Sequence, residues 1–180
     1  FSNTQQINYS LQKTFTGTNS GFFSGRDGCA ISGSGSILAY FDTGIIKIYE
    51  NVNDDWVEHS TFTAHSDNVY SVISLNYSGN RIAVGQPSPY WTKIYEYNSP
   101  EWTQIGTISN ITRCALNDNG DIIALSGYYY SDSMVYQYAN NTWTQLGGTL
   151  ASSVNSVLAI NSAGDIVAFS QPAGNKVNVF

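Results

Sequence analysis

A short pattern recurs four times along the 180-residue chain: a Gly that ends a polar turn, followed by two aliphatic residues and an Ala. The glycines are Gly35, Gly79, Gly120 and Gly164, spaced 44, 41 and 44 residues apart. A repeat of this length constrains the fold strongly. Each copy must form one supersecondary unit that buries its apolar face only by stacking on the next copy.

Each copy contains four short apolar runs separated by clusters of Gly, Asn, Ser and Pro. The third run reads KIYE, KIYE, MVYQ and KVNV at residues 47–50, 93–96, 134–137 and 176–179. A Trp opens the fourth run of the first three copies, at Trp56, Trp102 and Trp143. Such runs favour antiparallel strands over helices. Four strands in about 40 to 45 residues are typical of a propeller blade, so the sequence predicts an all-β, four-bladed β-propeller with four antiparallel strands per blade.

The two ends of the chain predict how the ring closes. The last copy has no Trp run, whereas residues 9–16 align with residues 56–63, with Tyr9 in the place of Trp56. We therefore expect the N-terminal strand to join the C-terminal blade and close the ring, which removes exposed sheet edges. The alternative is that the chain is a fragment of a longer array. Under the closed-ring prediction the chain is a single domain, 1–180. Its four blades lie at about 22–63, 69–109, 111–150, and 153–180 together with 5–16.

Composition narrows the choice of partners. Charged residues make up 11% of the chain, and seven Lys and Arg against thirteen Asp and Glu give a net charge of -6. This balance argues against nucleic acid, which needs a basic surface. No apolar run is long enough to predict membrane insertion. A polar but weakly charged surface favours an extracellular or cell-surface location, and no cofactor is expected.

Parts of the repeat carry a family resemblance. The segments TFTAH at 61–65, VYSV at 69–72, the turn at 78–79 and KIY at 93–95 resemble a WD40 repeat. The segments DIIALS at 121–126, MVYQY at 134–138 and NTWTQLG at 141–147 are similar to FG-GAP-like propeller repeats. Both resemblances imply a β-propeller, and the second implies kinship with parts of large secreted or cell-surface proteins. The fold by itself does not imply a function.

Two periodic features have both a structural and a functional interpretation. The repeated Trp residues could stack on sugars, but aromatic residues at this period more often fill the wedge between blades. Cys29 and Cys114 stand where the other copies have Ile73 and Leu158. We therefore expect both cysteines to be buried as small hydrophobic residues rather than joined in a disulfide.

A binding site is predicted at one face, where the loops joining second to third strands lie beside the loops that lead into each blade. The aromatic and polar residues of these loops that do not follow the repeat are Tyr90, Trp91, Tyr128, Tyr129, Tyr130, His65 and Asp67. Aromatic faces beside amide and carboxylate groups suit a carbohydrate or a protein partner. The competing interpretation is that these aromatic residues only cap the ends of the blades.

Signals for catalysis and metal binding are weak. The only histidines are His59 and His65, and no Ser-His-Asp or Cys-His arrangement is evident. The alternative to a non-catalytic protein is a glycosidase-like propeller enzyme, which needs facing carboxylates near the central axis of the propeller. Residues 117–121, NDNGD, resemble a calcium loop but lack the ligand spacing. A hairpin turn is the better interpretation, and no metal site is predicted.

Sequons for N-glycosylation begin at Asn8, Asn76, Asn110 and Asn140, all at or beside predicted loops. We interpret the chain as a non-catalytic extracellular binding or scaffold module for a protein or glycan partner. The alternative is a structural subunit of an extracellular assembly or filament. In that case the chain associates with itself, and its N-terminal strand completes a neighbour's blade.

Overall fold

The computed structural model describes residues 9–17, 28–65, 71–86, 90–127, 132–152, 157–171 and 174–180. These residues form β-strands in four antiparallel sheets that follow one another in chain order. Sheets 1, 2 and 3 have four strands each, and sheet 4 has three. The predicted all-β class is confirmed for the described residues, and each sheet corresponds to one copy of the repeat. No helix in these ranges is long and apolar enough to span a membrane.

The strands of each sheet pair in sequence order. Sheet 1 contains β1 (Cys29–Ile31), β2 (Ile37–Asp42), β3 (Ile45–Val52) and β4 (Asp55–Thr63). Sheet 2 contains β5 (Val72–Leu75), β6 (Arg81–Gln86), β7 (Trp91–Asn98) and β8 (Glu101–Ser109). Sheet 3 contains β9 (Arg113–Leu116), β10 (Ile122–Ser126), β11 (Asp132–Ala139) and β12 (Thr142–Ser152). Sheet 4 contains β13 (Leu158–Ile160), β14 (Val167–Gln171) and β15 (Lys176–Val179).

The turn between the first and second strands is built in the same way in three sheets. The side-chain carbonyl oxygen of Asn76 accepts the Arg81 backbone N–H at 2.9 Å. Asn117 and Asn161 accept equivalent bonds, each at 3.0 Å, from the residues five positions ahead of them. Because Asn side chains satisfy the backbone inside these turns, the segment 117–121 is a hairpin turn as predicted.

The hydrophobic core lies between successive sheets. Sheets 1 and 2 enclose a cluster that includes Ile48, Ile73 and Ile82. Sheets 2 and 3 enclose a second cluster that includes Ile94 and Leu116, and sheets 3 and 4 a smaller third one. Sheets 2 and 3 are therefore each apolar on both faces, one packed on the sheet before it and one on the sheet after it, as stacked repeats require.

Backbone hydrogen bonds link the same turns from sheet to sheet. The N–H of Ser34 donates to the Tyr77 carbonyl at 2.9 Å, and the N–H of Tyr77 donates to the Asp118 carbonyl at 3.0 Å. The N–H of Asp118 continues the series to the Ser162 carbonyl at 3.1 Å. These bonds fix the spacing of the four sheets at this end of the structure.

The predicted ring closure is wrong. Residues 9–17 form no strand, and no hydrogen bond joins them to residues 174–180. They lie against sheet 1 instead, where the Trp56 indole N–H donates to Gln12 Oε1 at 3.1 Å and Lys13 Nζ lies 3.1 Å from Asp55 Oδ1. The repeat alignment of this segment is nevertheless informative, because Trp102 of sheet 2 likewise donates to Ser60 of β4 at 3.0 Å. Residues 9–17 thus pack on sheet 1 as β4 packs on sheet 2, but β15 is not beside them.

The expectation that both cysteines are buried holds for only one of them. Cys114 is buried, whereas Cys29 is exposed, and both are free thiols. Cys114 faces sheet 2 in the second core cluster. Cys29 holds the same repeat position in sheet 1, where no sheet among the described residues covers it.

Candidate functional site

The described part of the predicted site lies where sheet 1 meets the β6–β7 end of sheet 2. The structure describes three of the seven predicted residues there: His65, Tyr90 and Trp91. The other four lie outside the described residues: Asp67, Tyr128, Tyr129 and Tyr130. We call the surface formed by Tyr90 and Trp91 the aromatic platform. The positions of these two residues and of His65 decide which groups the platform presents to solvent.

His65 and Trp91 meet at the junction of sheets 1 and 2. The His65 ring stacks on Phe41 with centroids 4.9 Å apart, and Trp91 meets the His65 ring edge-on at 5.8 Å. Only 8% of the His65 surface is exposed. His65 therefore supports the platform from below, which agrees with the packing interpretation for this residue.

The ammonium group of Lys93 lies over the Trp91 ring of the platform. Lys93 Nζ lies 4.3 Å from the Trp91 ring centroid, and it donates to the Ala64 carbonyl at 3.4 Å. A cation above a Trp face gains electrostatic stabilisation from the ring quadrupole. Tyr90 is 41% exposed, and its backbone carbonyl accepts the Asn110 N–H at 2.8 Å. Tyr90 is consequently the side chain of the described three that is most open to a partner.

The structure also reveals a His–Ser contact that the sequence did not indicate. His65 Nε2 lies 2.8 Å from Ser71 Oγ. A His beside a Ser is one component of a nucleophilic site, but Ser71 is 0% exposed. A substrate carbonyl cannot reach this hydroxyl, so the contact orients the His65 ring within the core. Five residues separate them, and nothing local in the sequence signals the pairing.

An ion pair occupies the corresponding end of sheet 1. Asp42 is almost fully buried at 4% exposure, and its carboxylate lies 2.8 Å from Lys47 Nζ. The hydrogen bond to Asp42 raises the pKa of Lys47 above its usual value, against an opposing effect of burial. Asp42 is therefore engaged inside the protein rather than offered to a ligand.

Among the described residues, no three His, Cys, Asp or Glu side chains come together in a way that could hold a metal ion. The first strands of the four sheets converge on one recess of about 260 Å³, lined by Cys29, Ile73, Cys114, Leu158, Val72, Arg113 and Val157. Most of these side chains are apolar, and the recess presents no pair of facing carboxylates of the kind used in glycoside hydrolysis.

The sequons differ in accessibility. Asn76 is 3% exposed, and its Nδ2 donates to Asn80 Oδ1 at 2.8 Å, so a glycan there would break the turn it holds together. Asn110 and Asn140 are exposed and have positive φ angles of 65° and 52°. Asn8 lies outside the described residues.

Sequence reasoning did not single out a second surface at the opposite end of the sheets. The turns of sheets 2 and 3 enclose an open recess of about 440 Å³ lined by Asn76, Tyr77, Ser78, Asn80, Asp118 and Asn119. Tyr77 is 52% exposed at its edge. The polar groups of Asn76, Ser78 and Asn80 bond to one another. This mutual bonding leaves the recess with weaker recognition chemistry than the platform.

Trp102 and Trp143 lie between sheets, and Trp56 lies between sheet 1 and residues 9–17, so none of them forms a sugar site. Trp56 is 8% exposed, and Trp102 stacks on Phe62 of the preceding sheet with centroids 5.5 Å apart. Trp143 contacts the preceding sheet at Gly106. The structure thus supports the wedge interpretation of these residues.

No protein-family model matches the sequence, and no curated protein matches it. Solved structures do match its fold. A putative 6-phosphogluconolactonase from Bacteroides uniformis has 13% identity and a TM-score of 0.65 over 84% of this chain and 48% of its own. The Cps50 (Swd1) beta-propeller domain of Myceliophteria thermophila has 12% identity and a TM-score of 0.63, over 84% and 52%. A chain of the mitotic checkpoint complex has 13% identity and a TM-score of 0.65, over 86% and 50%.

These similarities extend over all but a small part of this chain and about half of each matched chain. Similarity at such low identity establishes the fold and nothing about activity. Successive four-stranded antiparallel sheets packed face to face fit the same conclusion. The protein has a β-propeller fold, arranged here as four consecutive sheets without the predicted closure.

Proposed function

We propose that this protein is a non-catalytic, extracellular protein-binding module whose partner docks on the aromatic platform of Tyr90 and Trp91. The observation that carries the proposal is the platform itself: an exposed Tyr beside a Trp that contacts the buried His65 ring and lies under the Lys93 cation. Tyr and Trp are enriched among the residues that carry most of the binding energy of protein interfaces. The repeat subfamily, WD40-like or FG-GAP-like, stays a prediction.

A protein partner suits the platform better than a glycan. Sugar recognition requires hydrogen-bonding groups around the aromatic face. The described polar neighbours of Trp91 are committed inside the protein: His65 to Ser71, and Lys93 to Trp91 and Ala64. One matched structure is named as part of the mitotic checkpoint complex, a protein assembly. That likeness of fold makes a protein partner a reasonable class to test.

The non-catalytic part of the proposal rests on the two histidines. His65 is buried against Ser71, and His59 Nδ1 lies 2.9 Å from Ser60 Oγ on an outer strand. Two matched structures are named putative 6-phosphogluconolactonases. Hydrolysis of 6-phosphogluconolactone by the purified chain, above the uncatalysed rate, would overturn this part of the proposal.

The binding test compares two exposed tyrosines at opposite ends of sheet 2. The immobilised chain is screened in parallel against a panel of extracellular protein domains and a glycan array, and hits are titrated. We expect saturable binding to a protein that weakens at least tenfold, about 1.4 kcal/mol, in Tyr90→Ala. The control Tyr77→Ala removes a tyrosine of similar exposure, 52% against 41%, and should leave the affinity unchanged.

Two results would contradict the proposal. Binding only to glycans would refute the protein partner, and a loss in Tyr77→Ala rather than Tyr90→Ala would move the site to the other end of the sheets. An extracellular location is tested separately: the chain expressed in a secreting cell should carry glycans at Asn110 or Asn140 but not at the buried Asn76.

A further inference from the structure

The open recess between the turns of sheets 2 and 3, which we call the turn recess, has recognition groups on two sides. We propose that it binds a neutral pyranose sugar between Tyr77 on one side and Asp118 and Asn119 on the other. The turn recess lies at the opposite end of the sheets from the aromatic platform, so this inference does not depend on the proposed function.

The Tyr77 ring lies where the repeat leaves space for it. Gly33, Tyr77 and Asp118 hold the same turn position in sheets 1, 2 and 3, because each follows the residue whose side chain accepts the backbone N–H five positions ahead of it. A Cβ on Gly33 would lie 2.6 Å from Tyr77 Cδ2, so the ring rests on a place that any other residue would fill. The ring is therefore held against sheet 1, while Tyr77 stays 52% exposed to a ligand.

Asp118 and Asn119 form the opposite side of the turn recess. Both are exposed, and neither side chain forms a hydrogen bond or an ion pair within the described part of the chain. The other polar side chains of the lining differ, because Asn76, Ser78 and Asn80 bond to one another. The turn recess thus combines a polar wall that is internally satisfied with one aromatic ring, one carboxylate and one amide that a ligand can use.

The two sides are fixed relative to each other without a ligand. The Tyr77 N–H donates to the Asp118 carbonyl at 3.0 Å. Arg81 of sheet 2 donates from Nη1 to the carbonyl of Gly120, in the turn of sheet 3, at 3.1 Å, and its Nη2 lies 2.7 Å from Glu96 Oε1. A preorganised site binds more tightly because less conformational freedom is lost on binding.

These groups fit a neutral sugar. An aromatic ring packs on the apolar C–H face of a pyranose, a carboxylate accepts from its hydroxyl groups, and an amide both donates and accepts. The volume of about 440 Å³ falls within the range of small-ligand sites. An acidic sugar would meet the Asp118 carboxylate, and the guanidinium of Arg81 is already paired with Glu96. The turn recess should therefore select against anionic sugars.

The first experiment measures sugar binding to the whole chain by saturation-transfer NMR. The probes are the methyl glycosides of glucose, galactose and mannose, each compared with its own uronic acid. Because each pair differs only at C6, the comparison isolates the effect of the negative charge. We expect saturable binding of at least one neutral glycoside at millimolar concentration, and binding of its uronic acid that is weaker by roughly tenfold or more.

The second experiment locates the site with variants. Tyr77→Ala removes the ring and should weaken sugar binding by roughly tenfold or more. Asp118→Asn should weaken it by a smaller factor, because a neutral acceptor forms a weaker hydrogen bond than a carboxylate. Tyr90→Ala and Glu101→Gln are the matched controls, since they remove an exposed tyrosine at the other end of sheet 2 and an exposed carboxylate on β8 outside the turn recess. Both controls should bind the sugar like the wild type, with far-ultraviolet circular dichroism unchanged in all four variants.

Three results would overturn the sugar site. They are no saturable binding of any neutral glycoside, a uronic acid that binds as tightly as its neutral counterpart, and a loss in either control as large as the loss in Tyr77→Ala. Failure here is distinct from failure of the proposed function, which depends on a protein partner that is lost in Tyr90→Ala and kept in Tyr77→Ala.

Discussion

Among the described residues, the interface between sheets 1 and 2 buries more apolar side chains than the interface between sheets 3 and 4. The first buries a continuous cluster around Ile48, Leu75 and Tyr95, and it gains outer contacts from Phe62 and Trp102. The second buries only Ala124, Val135, Val167 and Phe169 completely or nearly so. The repeat is the same in both places, so the difference comes from what surrounds each interface.

The contacts of the fourth strands explain most of this difference. In sheets 2 and 3 the fourth strand carries a Trp that covers the preceding sheet, and sheet 4 has no such strand among the described residues. Burial of apolar area is the dominant favourable contribution to stability. The comparison therefore predicts that stability declines along the chain from sheet 1 to sheet 4.

Truncating one repeat position in both interfaces should give the largest effect. Leu75 is 8% exposed in the first interface, while Ile160 holds the same position in the third and is only partly buried. We expect Leu75→Ala to lower the free energy of unfolding by about 2–5 kcal/mol, the usual cost of a buried large-to-small change. Ile160→Ala should cost less, because fewer atoms surround it. Urea denaturation measures both, and an equal or larger loss for Ile160→Ala would contradict the decline.

Two glycines on outer strands provide a smaller and sharper comparison. A Cβ on Gly106 would overlap the Trp143 indole, so Gly106→Ala should destabilise the protein by about 1–3 kcal/mol through overpacking. Gly148 of β12 has open space at its Cβ position. Gly148→Ala should therefore be close to neutral, and urea denaturation measures both variants. A loss in Gly148→Ala as large as in Gly106→Ala would show that sheet 4 covers β12 as fully as sheet 3 covers β8.

The smallest expected effect is a dependence of the free energy of unfolding on alkaline pH, caused by Tyr95 in the interface between sheets 1 and 2. Burial raises the pKa of Tyr95 from 10.0 to about 12, and Asn178 holds its repeat position in sheet 4. The folded protein therefore keeps a proton on Tyr95 that the unfolded chain releases near pH 10. This contribution to stability is fully present below pH 10 and is lost as the pH rises through about 12. Tyr95→Phe should show a shallower decline in unfolding free energy over that range, and an unchanged decline would show that Tyr95 does not titrate there.

Strands and turns were predictable because their signals are local. The runs at 37–41 and 45–50 become β2 and β3, extended by only one or two residues. The Asn residues before Gly79 and Gly120 predict turns whose own side chains satisfy the backbone. Alternating burial within β11 follows from the side-chain period of two along a strand.

The candidate site was only partly predictable. The aromatic composition of the loop before β7 pointed to Tyr90 and Trp91, and the meeting of Trp91 with His65 agrees with the expected proximity of the two loops. The depth of His65 and its bond to Ser71 could not be foreseen. They depend on how closely sheet 2 approaches sheet 1, which no single segment of sequence specifies.

The sequence alone predicted four repeats and an antiparallel sheet for each of them, because spacing and side-chain period indicate these within about 40 residues. Only the tertiary structure decided that residues 9–17 lie beside sheet 1 and apart from β15, and that Cys29 and Val177 are uncovered. Each depends on side-chain packing between distant segments, which no local pattern in the sequence specifies.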